Sequence, residues 1–92
     1  MNKLKAKRPN AVVLDPPRAG LARGAAEKVA GLGAGRIAYL SCDPATLARD
    51  LKIICTDPKT SAPRYRIVRL VGIDLFPQTP HVEALAILER LA

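Results

Sequence analysis

Apolar residues fall along this chain in short blocks, and the spacing within each block predicts a different element. Ala11-Val12-Val13-Leu14 is brief, β-branched and not interrupted by polar residues, the pattern of a strand buried on both faces. Asp15-Pro16-Pro17 stops it, because proline has no N–H to donate to a ladder. From Leu21 to about Leu32, Leu21, Ala25, Val29 and Leu32 recur at helical spacing, and Gly31, Gly33 and Gly35 close the segment. Gly24 weakens the first turn of that helix.

Arg36 to Leu40 reads as a second strand, ending in Ser41-Cys42. Asp43 then offers an N-cap, Pro44 suits the first helical position, and Leu47, Leu51, Ile54 and Cys55 make a one-sided stripe. Thr56 to Pro63 is a loop broken by Asp57-Pro58 and Ala62-Pro63. Alternation from Tyr65 to Val71 predicts a third strand; Gly72 to Pro80 leaves it, and Val82 to Leu88 is a fourth. The order β-α-β-α-β-β predicts an α/β fold with a mostly parallel, doubly wound sheet, the last strand having one antiparallel neighbour. Such sheets take their ligands at the carboxyl ends of their strands. Three conspicuous segments fall there: Asp15 to Arg18, Ser41 to Pro44, and Phe76 to Glu83.

Composition narrows the class. Ninety-two residues limit the chain to one domain, read as a basic segment over 1–9 followed by a folded part over 10–92. Apolar residues make up 49%, enough for a core, yet no run approaches the ~18 residues of a membrane span. Cys42 and Cys55 are not in disulfide-scaffold or zinc spacing, so free thiols and a cytoplasmic location are expected. The formal charge is +7, with +5 of it in residues 1–30. That suits either a polyanionic partner such as RNA or a merely solvated basic face. Aromatics at 3% leave little for base stacking.

Few residues are candidates for chemistry. Cys42 sits between a strand end and a helix N-terminus, where backbone N–H groups and the helix dipole favour a thiolate, while Asp43 opposes it. Cys42 is therefore either a nucleophile or a small buried hydrophobe; Cys55, on the apolar stripe, is read as the latter. Glu83 opens an apolar strand, where a partly desolvated carboxylate would serve as a base; otherwise it is a surface group. His81 has no partner at ligand spacing and is read as a hydrogen-bonding positioner, with no metal site expected. Asp15 ends a strand expected to be buried, so it needs a partner: either it caps the next turn or it binds a polar cofactor group. Pro16 and Pro17 stiffen that turn and leave carbonyls free to hold a flat base, and Arg18 faces a phosphate, a base edge or solvent.

Three segments in order, Asp15-Pro16-Pro17-Arg18-Ala19-Gly20, then Tyr39 to Asp50 around Ser41-Cys42-Asp43-Pro44, then Asp74 to Glu83, closely resemble the C-terminal motifs of S-adenosylmethionine-dependent RNA uracil-5-methyltransferases. A DPP turn alone also suits enzymes that methylate the adenine amino group, but that reaction needs no thiol after the second strand. The resemblance implies the C-terminal half of a Rossmann-like class I methyltransferase domain, with the glycine-rich cofactor loop on segments upstream. It implies that Cys42 adds to carbon 6 of uracil, making carbon 5 nucleophilic toward the methyl group, and that Glu83 then removes the proton from carbon 5. It further implies that Asp15 meets S-adenosylmethionine, and that Pro16, Pro17 and Arg18 hold a uridine of tRNA or rRNA flipped from its stack. On this basis the chain alone is expected to be inactive. Two other outcomes remain open from the residues: a small basic RNA-binding module without chemistry, and an assembly piece that self-associates through the open edge of strand 11–14.

Overall fold

A computed structural model describes residues 10–73 and 83–91. The prolines after Leu14 end the first strand where the sequence predicts, and the elements follow as β1 (Ala11–Leu14), α1 (Ala25–Gly31), β2 (Arg36–Ser41), α2 (Pro44–Cys55), β3 (Tyr65–Ile73) and β4 (Glu83–Arg90). The expected order β-α-β-α-β-β is therefore the observed one.

Pairing departs from the expectation. The sheet runs β1-β2-β4-β3, with β1 parallel to β2 and β4 antiparallel to both β2 and β3. β4 thus has two antiparallel neighbours rather than one, and the sheet is mixed rather than mostly parallel. The cause is insertion: β4 turns back from β3 and occupies the place beside β2, so three strands share a direction but only two of them touch. A slip in register between Ile67 and Arg69 bends β3 locally.

Burial alternates along β2: Ile37, Tyr39 and Ser41 are buried while Ala38 and Leu40 are half-buried. The buried face meets both helices through Ala26 and Ala30 of α1 and Leu47, Leu51 and Ile54 of α2, with Tyr65, Ala86 and Leu88 completing the core. β1 is an edge strand rather than a strand buried on both faces. Val12 and Leu14 pack against the core, whereas Val13, on the other face, is 77% exposed because among the described residues no helix covers that side.

α1 begins at Ala25 rather than Leu21. Leu21 is engaged elsewhere through both its N–H and its carbonyl, and Gly24 adopts a left-handed conformation (φ 83°) at the cap. Its buried stripe is therefore Ala26 and Ala30, and Leu32 is exposed. α2 follows its sequence signals closely. Asp43 caps it, Pro44 occupies its first turn, and Leu47, Leu51 and Ile54 are buried. At its far end Arg64 donates to the carbonyls of Ile53 (2.8 Å) and Ile54 (2.9 Å), satisfying groups the helix cannot bond itself. At the same end of the sheet, Glu89 on β4 accepts from Arg36 on β2 and Arg66 on β3. Those two guanidinium groups hold its carboxyl below the usual carboxylate range. Among the described residues no helix is long and apolar enough to cross a membrane.

Candidate active site

Register brings the predicted residues to one edge of the sheet. β1 and β2 run in parallel with Leu14 beside Tyr39, so Asp15 and Cys42 both leave the same ends. β4 runs the other way and begins there. Ser41 lies opposite Ala84, and one step further along each strand Cys42 lies level with Glu83, which also pairs with Ile73 at the end of β3. Cys42 and Glu83 are both half-buried. The Asp74 to Val82 segment, including His81, lies outside the described residues.

Cys42 is held in a tight turn. The hydroxyl of Ser41 accepts from the Asp43 N–H (3.0 Å) and donates to the Asp43 carbonyl (2.9 Å), spanning the cysteine from both sides. Asp43 Oδ1 accepts from the N–H groups of Ala45 (2.9 Å) and Thr46 (3.4 Å). The carboxylate that stands beside Cys42 in sequence is thus turned to the helix it caps. Cys55 lines an apolar groove of about 620 Å3 between α2 and β3 with Leu47, Leu51, Ile67 and Leu70. Burial pushes its thiol up, and the Arg64 guanidinium only partly offsets this.

Asp15 differs from its expectation. Because β1 is an edge, the carboxylate is exposed rather than buried, and it caps no turn among the described residues. Pro17 and Arg18 are exposed as well, and Pro16 is half-buried. The turn is closed by the Gly20 N–H donating to the Pro17 carbonyl (2.8 Å), with Gly20 at φ 86°.

The polar centre beneath that turn was not singled out from the sequence. Asp50 is 1% exposed and is the acceptor for the Tyr39 hydroxyl (2.5 Å), the Leu21 N–H (2.8 Å) and the Arg49 side chain (3.0 and 3.1 Å). Arg49 also donates to the carbonyls of Ala19 (3.1 Å) and Leu21 (3.2 Å), and Thr46 donates to that of Arg18 (3.0 Å). Burial first, and the bond to Asp50 second, raise the Tyr39 hydroxyl well above its ordinary range. A signal was present: Asp50 lies three residues after Leu47 and four before Ile54, inside the apolar stripe, where a carboxylate must find partners.

The model of the tRNA (uracil-5-)-methyltransferase family matches residues 2–91. The chain belongs to that family. Over 79 residues it is 49% identical to an RNA methyltransferase of Geobacter sulfurreducens, an alignment covering 86% of this chain and 15% of the relative. Over 80 residues it is 48% identical to the 23S rRNA (uracil(1939)-C(5))-methyltransferase of Pseudomonas entomophila, covering 87% of this chain and 16% of that one. Among solved structures it resembles the tRNA (uracil-54, C5)-methyltransferase of Pyrococcus abyssi in complex with S-adenosyl-L-homocysteine. There the TM-score is 0.72 and the identity 41%, covering 90% of this chain and 19% of that chain. As a member of the uracil-5-methyltransferase family, the chain thus spans about a sixth to a fifth of the length of these relatives.

Proposed function

We propose that the chain carries the nucleophile and the base of an RNA uracil-5-methyltransferase. The observation that carries this reading is the register that sets Cys42, in its turn before α2, level with Glu83 at the start of β4. Cys42 Sγ adds to carbon 6 of a uracil, which makes carbon 5 nucleophilic. After methylation, Glu83 takes the proton from carbon 5 and the thiolate leaves, restoring the ring. S-adenosylmethionine supplies the methyl group when bound. Family membership and the Pyrococcus abyssi complex, which contains the demethylated product of that cofactor, support it as the donor. Asp15 fits a share of its site, since its exposed carboxylate at the strand end is able to accept from a polar group. Pro16, Pro17 and Arg18 hold the target base and its flank, and tRNA or rRNA in the cytoplasm is the substrate class.

The chain by itself is inactive in this reading, because one carboxylate is far from a complete cofactor site. Methyl transfer is expected only when the chain replaces the matching segment of the Pseudomonas entomophila enzyme. That hybrid should methylate uridine in RNA, with Cys42→Ala abolishing product and Glu83→Gln slowing its release. Product at the unsubstituted rate with Cys42→Ala overturns the assignment. Salt-dependent RNA binding by the chain that is unchanged in both variants, with no product in the hybrid, favours the basic module without chemistry.

An assembly role has its own observation. Among the described residues no strand pairs with the outer edge of β1, and Val13 there is 77% exposed. Self-association through this edge is the second proposal.

A further inference from the structure

We propose that Thr46, Arg49 and Asp50 form a strap that positions the Pro16–Gly20 turn relative to Cys42. The inference rests on the reading above, in which the turn and the cysteine meet the same base. All three side chains project from the helix whose N-terminus immediately follows Cys42, and they grip four backbone groups, on Arg18 and Ala19 of the turn and on Leu21 just after it. Thr46 Oγ1 donates to the Arg18 carbonyl, Arg49 to the Ala19 and Leu21 carbonyls, and Asp50 accepts from the Leu21 N–H. Asp50 is in turn fixed to β2, the strand that delivers Cys42, through the Tyr39 hydroxyl. One buried carboxylate therefore couples the turn, the helix and the strand.

Gly20 shows how close the grip is. A Cβ at this position would stand 2.5 Å from an Arg49 nitrogen, 2.8 Å from an Asp50 oxygen and 3.0 Å from Thr46 Cβ, in a backbone conformation that side chains rarely adopt. The glycine is required by the strap as much as by the turn. A displacement of about 1 Å between reacting groups is able to cost about a hundredfold in rate, so a device that fixes their relative place bears directly on turnover. Thr46, Arg49 and Asp50 touch neither reacting atom in this account and are positioning residues.

Two readouts test it. In the 92-residue chain, Thr46→Val and Arg49→Ala are expected to speed amide exchange at Gly20 and Leu21 at least tenfold more than at the β2–β4 amides, the urea midpoint staying put in Thr46→Val and falling in Arg49→Ala, which takes the cation from buried Asp50. In the hybrid with the Pseudomonas entomophila enzyme, the same variants are expected to slow single-turnover adduct formation with 5-fluorouridine RNA at least tenfold at saturating RNA. Thr46→Ser, which restores the hydroxyl, recovers both. Unchanged exchange overturns the strap, and faster exchange with an unchanged adduct rate overturns its positioning role. No adduct in the unsubstituted hybrid contradicts the reading of Cys42 itself, and the role of the strap falls with it.

Discussion

Asp43 accepts from two N–H groups in the first turn of α2, and the expected loss on Asp43→Ala is about 1 kcal/mol in urea unfolding, with Asp43→Asn close to the starting chain. An equal loss for Asn would show that charge, not capping geometry, holds the helix. Tyr39→Phe removes a donor from the buried Asp50 and is expected to cost about 1–3 kcal/mol. Tyr39 and Cys55 set the alkaline limit. Tyr39 and Cys55 are held protonated above their ordinary values of about 10 and 8.5. The folded state therefore binds these protons more tightly than the unfolded chain, so their stabilisation is complete below about pH 8 and declines as pH rises through the folded values. Glu89 acts in the opposite sense: its lowered carboxyl contributes above the unfolded value of about 4.3 and is lost as pH falls through the folded one. Urea midpoints from pH 3 to 11 should fall at both ends, Cys55→Ala flattening the alkaline limb and Glu89→Gln the acid limb. A midpoint that rises above pH 9 would contradict the assignment.

At the scale of elements, β1 and α1 carry the departures from sequence expectation. Val12 and Val13 read as a doubly buried strand because parallel strands usually are, and nothing within four residues tells an interior strand from an edge. Val13→Lys should leave the fold intact and suppress concentration-dependent association in sedimentation; association unchanged by the lysine would remove the edge from consideration. The start of α1 was not legible, since Leu21 is drawn out of helical register by Asp50 and Arg49, both 28 or more residues away along the chain. α2 was legible to the residue because its cap, first-turn proline and apolar stripe are all local. The place of β4 between β2 and β3 is a long-range choice that local alternation does not encode. Cys42, Glu83 and Asp15 were visible as types at strand ends, whereas of the strap only Asp50, inside the apolar stripe, left a signal, and Thr46 and Arg49 were hidden because their partners are mostly backbone groups.

For the whole molecule, membership in the uracil-5-methyltransferase family and a span of only 15–19% of its relatives belong together. A four-stranded mixed sheet with both helices on one face presents Val13, Ala38, Leu40 and Leu85 on the other, half-buried or exposed. The charge of +7, concentrated in the first third of the chain, is compatible with RNA. It is the edge at which Asp15, Cys42 and Glu83 meet that gives the chain its proposed chemistry. Fluorine at carbon 5 cannot be removed as a proton, so a uracil analogue bearing it arrests the reaction with the enzyme still attached. The most direct measurement is therefore mass mapping of the hybrid enzyme after incubation with 5-fluorouridine RNA and S-adenosylmethionine. The account predicts a methylated nucleotide adduct on Cys42, absent in Cys42→Ala and retained in Glu83→Gln; an adduct on another residue, or none from a folded hybrid with Cys42 intact, would contradict it.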